Sequence, residues 1–199
     1  MIKTLLTFVL MSWSMIGLAQ KESIKEEKKT RFFIAYEIGE AVFNKFQSHS
    51  GEIGLRFRNN HLLRLVHMNV NLSEQHLSSS FAKAVDGPNV KGKFFGFEAF
   101  YDFTVFRDKL YVGPSVGYYK SEYNHTILDE ELKNDFSPTI GVGISYRETN
   151  LFGVKGLFTT FSIPLRIDLK PTKKTKLGET TIVGGVFDQN IWFFIGFEF

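Results

Sequence analysis

From residue 31 onward, apolar and polar side chains alternate with period two, the spacing that sends successive residues to opposite faces of a strand. In KFFGFEAFYDFTV, Phe95, Phe97, Ala99, Tyr101, Phe103 and Val105 share one face, and Phe94, Gly96, Glu98, Phe100, Asp102 and Thr104 share the other. EIGLRFR sets Ile53, Leu55 and Phe57 against Glu52, Gly54, Arg56 and Arg58. LFTTFSIPLRIDL divides Leu157, Phe161, Ile163, Leu165 and Ile167 from Thr160, Ser162, Arg166 and Asp168. In LYVGPSVGYY and PTIGVGISY, Leu110, Val112, Val116, Ile140, Val142 and Ile144 oppose Gly113, Ser115, Gly117, Gly141, Gly143 and Ser145. FFIAYEIGEAVF and LLRLVHMNVNL alternate less cleanly and carry Glu37, His67 and Asn69 among apolar neighbours.

With the terminal IWFFIGFEF, the pattern predicts eight strands, near 32–43, 51–58, 61–72, 93–105, 109–121, 138–148, 155–169 and 190–199. Strands two and three, four and five, and six and seven are joined by short turns at Asn59-Asn60, Phe106–Asp108 and Thr149-Asn150. The other connections are mostly longer: 44–50, 73–92, 122–137 and 170–189. Short turns would then lie on one rim and long polar loops on the other, the asymmetry of an outer-membrane barrel.

These features resemble the small eight-stranded outer-membrane β-barrel proteins of Gram-negative bacteria. The likeness covers nearly all of residues 31–199 as a pattern, and the last strand is its most specific part. It implies an all-β fold: a closed, eight-stranded, antiparallel, up-and-down transmembrane β-barrel in the cell outer membrane. It also implies that Ile191, Phe193, Ile195, Phe197 and Phe199 form the signal read by the outer-membrane assembly machinery.

The polar face separates a membrane barrel from a soluble one. It is built of Gly, Ser and Thr with Arg, Asp and Glu, while Lys is mostly kept to loops and strand ends. Small residues suit the crowded lumen of eight strands, which side chains can fill. Charges there must be paired and hydrogen-bonded, because an isolated buried ion is very costly. The expected lumen network is Glu37, Glu52, Arg56, Arg58, Glu98, Asp102, Arg166, Asp168 and Glu198. It serves either as a plug of salt bridges or as a proton or solute path. Tyr36, Tyr101, Tyr118, Tyr146 and Trp192 are candidates for aromatic girdles, although Trp192 has the polar parity of its strand and could fill the lumen instead. Pro114, Pro138 and Pro164 each remove a ladder donor and suggest bulges or breaks.

MIKTLLTFVLMSWSMIGLA, residues 1–19, has one Lys, an apolar run and small residues before Gln20, the layout of a cleavable signal peptide. The alternative, a membrane anchor, suits this short run poorly, because Ser12 and Ser14 break it. Residues 20–30, containing KESIKEEKKT, read as a polar tether, and 31–199 as one barrel domain. There are no cysteines, so disulfides, thiol lipidation and Cys metal sites are excluded. The formal charge of +3 gives no argument for nucleic acid. There are 22 Phe and 7 Tyr beside 17 Gly, yet no window after residue 20 approaches the roughly 18 uninterrupted apolar residues of a spanning helix, which argues against a helical membrane protein.

No phosphate loop, zinc-protease, serine-hydrolase or dinucleotide signature occurs. His76-Leu77-Ser78, with Glu74 nearby, is the best catalytic candidate, and it also reads simply as a polar loop. No catalytic, cofactor or metal residues are assigned; His49, His61, His67 and His125 are scattered. Acidic LDEELKND (128–135) and basic KPTKKTK (170–176) could meet each other or touch lipopolysaccharide. TTIVGGVF (180–187) extends the last strand or forms a ninth. The reading is a monomeric, non-enzymatic barrel, partnered by outer-membrane lipids, with a structural or surface-binding role in its loops. Its rivals are uptake of a small hydrophobic solute through the wall, a lipid A-modifying enzyme, and a soluble periplasmic barrel.

Overall fold

The computed structural model describes residues 29–43, 48–79, 83–183 and 187–199. The expected signal peptide and most of the tether lie outside these residues. Thirteen strands occur among those described: β1 (Arg31–Glu37), β2 (Gly51–Arg56), β3 (Leu62–Leu72), β4 (Val85–Asp86), β5 (Val90–Phe106), β6 (Leu110–His125), β7 (Glu131–Lys133), β8 (Ser137–Thr149), β9 (Leu157–Asp168), β10 (Thr175–Leu177), β11 (Thr180–Ile182), β12 (Phe187–Gln189) and β13 (Trp192–Glu198). Eight of them, β1, β2, β3, β5, β6, β8, β9 and β13, pair antiparallel in chain order. The ring closes where β1 pairs with β13, Phe33 opposite Glu198 and Glu37 opposite Phe194. No ring edge is then left open to pair with another chain.

The two faces separate as the alternation predicts. Leu63, Leu65, Phe97, Tyr101, Phe103, Val116, Ile140, Val142, Ile144, Phe161, Phe193, Ile195 and Phe197 are exposed on the outside. Phe33, Leu62, Val66, Met68, Phe100, Tyr111, Tyr119, Phe158, Trp192 and Phe194 form the core inside the ring, together with buried Arg, Glu, Asp, Ser and Thr. Glycines on the inner face make room for the rings. A Cβ on Gly54 would stand 2.4 Å from Phe33 Cζ, and one on Gly143 would stand 2.8 Å from Phe100 Cδ1.

Several boundaries differ from the sequence pattern. β1 stops at Glu37 because its carboxylate turns the chain: Oε1 accepts from Gly39 N at 3.0 Å and Oε2 from Glu40 N at 2.9 Å, starting a short helix at Gly39–Phe43. β5 and β6 run several residues further toward the long loops. Two of the three prolines coincide with interruptions of the ladder. Pairing of β5 with β6 passes from Phe100↔Ser115 to Phe103↔Val112, skipping Pro114, and pairing along β9 passes from Gln189↔Leu165 to Trp192↔Ser162, so that β12 and β13 part opposite Pro164, as the loss of a ladder donor allows. Register is kept across both gaps, and the pairs Pro114↔Val142, Pro138↔Tyr118 and Pro164↔Gly143 on the other sides are intact. A register shift falls between Thr104 and Phe106, beside a tight turn whose central residues Arg107 and Asp108 both have positive φ, as a type I′ hairpin requires. Segment 180–187 is also divided: Thr180–Ile182 joins β10 and β4 in a separate three-stranded sheet, while β12 pairs with β9 along the line that β13 continues.

Candidate functional site: a charged interior beneath a folded loop layer

Inward-facing charges stack in layers along the ring. At the short-turn end, Glu198 of β13 takes Arg56 in a very short contact, Arg31 at 3.3 Å and Arg147 at 3.7 Å. The Arg147 guanidinium lies between two rings, 4.1 Å from the Phe33 centroid and 3.5 Å from that of Phe158. A flat, delocalised cation accepts such a sandwich, which an ammonium would fit poorly.

In the middle, Arg64 of β3 is wholly buried and reaches four other strands at once. Its Nε donates to Asp102 Oδ2 at 2.6 Å, Nη1 to Glu52 Oε2 at 3.1 Å, and Nη2 to the Ser145 and Ser162 hydroxyls at 3.0 and 3.4 Å. This fork holds β2, β5, β8 and β9 to β3 through side chains alone. Toward the long loops, Glu98 Oε2 accepts from Arg166 Nη1 at 3.0 Å and from the Tyr119 hydroxyl at 2.7 Å. Tyr119 and Trp192 flank the Arg166 guanidinium. Glu37 ends the series, accepting from Phe193 N as well as from the helix start.

Glu37, Glu52, Glu98, Asp102, Arg166 and Glu198 therefore sit buried in the interior, and Arg56 lies at its rim with a side chain 19% exposed. Two of the expected positions differ. Arg58 is exposed, because β2 ends at Arg56 and the following turn carries residue 58 out of the interior. Asp168 lies at the opposite rim, partly exposed, where Oδ1 accepts from the Ser137 hydroxyl and from Lys170 N. Trp192 is an inner residue and no girdle member, 1% exposed and edge-on to Phe100.

Arg64 and Arg147 are the interior residues that sequence reasoning missed. Arg147 continues the parity of Gly141, Gly143 and Ser145, so its signal was present in the pattern. Arg64 had none, because Leu63 and Leu65 on one side and Leu62 and Val66 on the other make both faces of β3 apolar. Only its pairing with β5, Leu62 opposite Asp102 and Arg64 opposite Phe100, shows the inward direction. His67 and Asn69 belong to the opposite, outward parity.

The long connections fold over one end of the ring. Leu77, Val85, Val90, Leu177 and Ile182 form a second core, with Leu72, Ala84, Tyr123 and Leu132 packed against it. The acidic and basic segments meet where Asn134 Nδ2 donates to Thr172 Oγ1 at 2.9 Å, and just past the basic run Gly178 N donates to Glu130 Oε2 at 2.7 Å. Val42, Ile127, Leu128 and Val183 remain exposed at the tips.

His76 lies on a short helix, Glu74–Leu77, capped by Ser73. Its Nδ1 is 4.0 Å from Glu40 Oε1, while the Ser78 hydroxyl donates to the Glu74 carbonyl at 2.9 Å. That bond spends the hydroxyl proton on backbone, where a nucleophile would need it directed to a base. Burial lowers the His76 pKa below 6.5. The unfolded loop then binds a proton that the folded one resists, so this packing loses stability as pH falls below 6.5 and levels off below the lowered folded value. Proteolysis within 73–79 should therefore quicken between pH 7 and pH 5, and a His76→Gln variant should show no such change.

No family model matches the chain, and no curated protein matches it in sequence. Among solved structures, it is similar to the N-terminal β-barrel domain of Pseudomonas aeruginosa OprF, at 14% identity over 87% of this chain and 98% of that one, with a TM-score of 0.40. Neisserial surface protein A matches at 14% identity over 85% and 94% of the two chains, also with a TM-score of 0.40. Both likenesses are distant.

Proposed function

We propose that this chain is a monomeric, non-enzymatic outer-membrane β-barrel, whose ring crosses the bilayer and whose loop layer faces outward in a structural or surface-binding role. The observation that carries this reading is the inverted distribution of polarity. A closed ring with a charged, packed interior presents a continuous apolar band to its surroundings, far more than soluble monomers leave exposed. On β5 the outward row from Phe95 to Val105 spans ten intervals, roughly 25 Å after allowing about 3.3 Å per residue and a tilt near 40°, the height of a barrel's lipid-facing band. Tyr36, Tyr118 and Tyr146 are outward and suit its margins, whereas Tyr101, also outward, lies within the row on β5.

In this reading the interior column is a plug. Wholly buried Arg64, Arg147, Arg166, Phe33, Phe100, Phe158, Phe194 and Trp192 occupy the space that a solute would need, which supports a structural role over conduction. Register kept across the short gaps at Pro114 and Pro164 likewise favours a closed wall over lateral uptake. We assign the outward row Ile191, Phe193, Ile195, Phe197 and Phe199 to recognition by the outer-membrane assembly machinery. Residues 1–19 are its export signal and 20–30 its tether.

Membrane fractionation with a heat-modifiability gel tests the reading: the protein should pellet with outer membranes and migrate differently before and after boiling in detergent. A soluble protein with one mobility overturns it. Orientation has its own measurement, because the chain lacks cysteine. Ile127→Cys should react with a membrane-impermeant maleimide on intact cells, whereas Phe152→Cys, on the short-turn rim, should react only after the outer membrane is permeabilised. The reverse pattern inverts the topology.

A further inference from the structure

The apolar band is indented near the long-loop end of β5 and β6. There Lys93, Phe95, Lys120, Glu122 and Phe136 line a groove of about 310 Å³, at the small end of the range for ligand pockets, roughly 300–1,000 Å³. Its apolar wall is aromatic. Phe136 stacks on Tyr118 with ring centroids 5.0 Å apart and meets Phe95 edge-on at 6.1 Å. Phe95 in turn packs on His67 at 5.4 Å.

The upper edge of the groove is cationic. Register sets Phe95 opposite Lys120 and Lys93 opposite Glu122, and Lys133 of β7 stands opposite Glu122 on its other side. Lys120 Nζ is 2.6 Å from Glu122, and Lys133 Nζ is 2.7 Å from Glu131. Two carboxylates thus meet three ammonium groups, and exposed Lys91 adds a fourth on the same face of β5, so the edge is positive. In the orientation proposed above, aromatic rings occupy the last part of the apolar band, and the lysines stand where headgroups begin.

We infer that this groove binds a net-anionic, phosphate-bearing lipid of the surrounding membrane, with an acyl chain along Phe95 and Phe136 and the phosphate held by Lys93 and Lys120. Charge complementarity selects this occupant. A neutral lipid would leave the cationic edge unmatched, and an acidic peptide would have no use for an aromatic wall at membrane depth. Lysine suits the task, as a flexible stem lies on apolar surface while the ammonium reaches a phosphate as a point charge. The inference rests on the membrane reading above.

The test uses the full chain refolded into phosphatidylcholine vesicles and then extracted in mild detergent with added phosphatidylglycerol, with retained lipid counted by native mass spectrometry. The parent protein should keep one phosphatidylglycerol in preference to phosphatidylcholine. Lys93→Gln/Lys120→Gln should weaken that retention about tenfold, less than the roughly fivefold per lysine expected near a charged surface would compound to, because Lys120 is shared with Glu122. Phe136→Ala should also weaken it, and Lys155→Gln on the opposite rim should not. Equal retention by the parent and the lysine variant overturns the inference and leaves the membrane reading standing. Displacement by millimolar inorganic phosphate, with no effect of Phe136→Ala, overturns it too, since the groove would then hold a free anion. Failure of the parent to fold into vesicles removes both readings together.

Discussion

Replacing Arg64 by methionine should destabilise the folded ring by about 3–5 kcal/mol, the usual cost of removing one partner from a buried ion group. Asp102 and Glu52 each receive an Arg64 N–H, and both are buried. Without the guanidinium, two buried carboxylates would lose the cation that hydrogen-bonds them, and the Ser145 and Ser162 hydroxyls, which bond each other, would lose a donor. The measurement is the urea midpoint of the refolded protein in micelles, read by loss of the heat-modifiable gel band. Adding Glu52→Gln and Asp102→Asn to Arg64→Met should recover much of the loss, because the penalty comes chiefly from the stranded charges. A single variant as stable as the parent would mean that water reaches this layer freely, and the plug assignment would fail with it.

The second large effect is expected outside the ring. Val142 is exposed near the middle of β8, between outward Ile140 and Ile144 and opposite Pro114 and Leu165 on the flanking strands. At the centre of a bilayer an arginine on the lipid face of a barrel costs about 2–4 kcal/mol, falling toward zero at the interfaces. Val142→Arg should therefore lower folding stability in vesicles by that amount, while Ile127→Arg at a loop tip should be close to neutral. Were the band covered by water, Val142→Arg would be harmless or would improve solubility. The comparison separates a membrane-spanning ring from a soluble one by the sign and the depth dependence of a single charge.

The alternation in β5, β8 and β9 was legible because each of these strands has one apolar face and one face that carries small or charged residues, with Phe94, Phe100 and Phe158 as the aromatic exceptions, so parity assigns direction. β3 was less legible for the opposite reason: apolar residues on both sides give no contrast, and Arg64 reads as an isolated exception. β1 misled at its far end, since Ile38, Ala41 and Val42 continue an apolar run that local hydrogen bonds from Glu37 convert into a helix. The loops were hardest, because Leu77, Val85, Leu177 and Ile182 come from distant segments with no periodicity of their own and become a core only when the ring brings their anchoring strands together.

The sequence by itself determined the eight strands of the ring, though not the five short strands outside it, the inside and outside of most ring strands, the placing of short turns and long loops on opposite rims, and the crowded nature of the interior. These follow from side-chain period and from residue size, which are local properties. Only the tertiary structure decided which charges meet. Arg64 finds Glu52, Asp102 and Ser145 at sequence separations of 12, 38 and 81 residues, and Arg147 finds Glu198 beside the rings of Phe33 and Phe158. Such partners depend on register and on closure of the ring, and one residue of slip in any strand would turn the same charges outward.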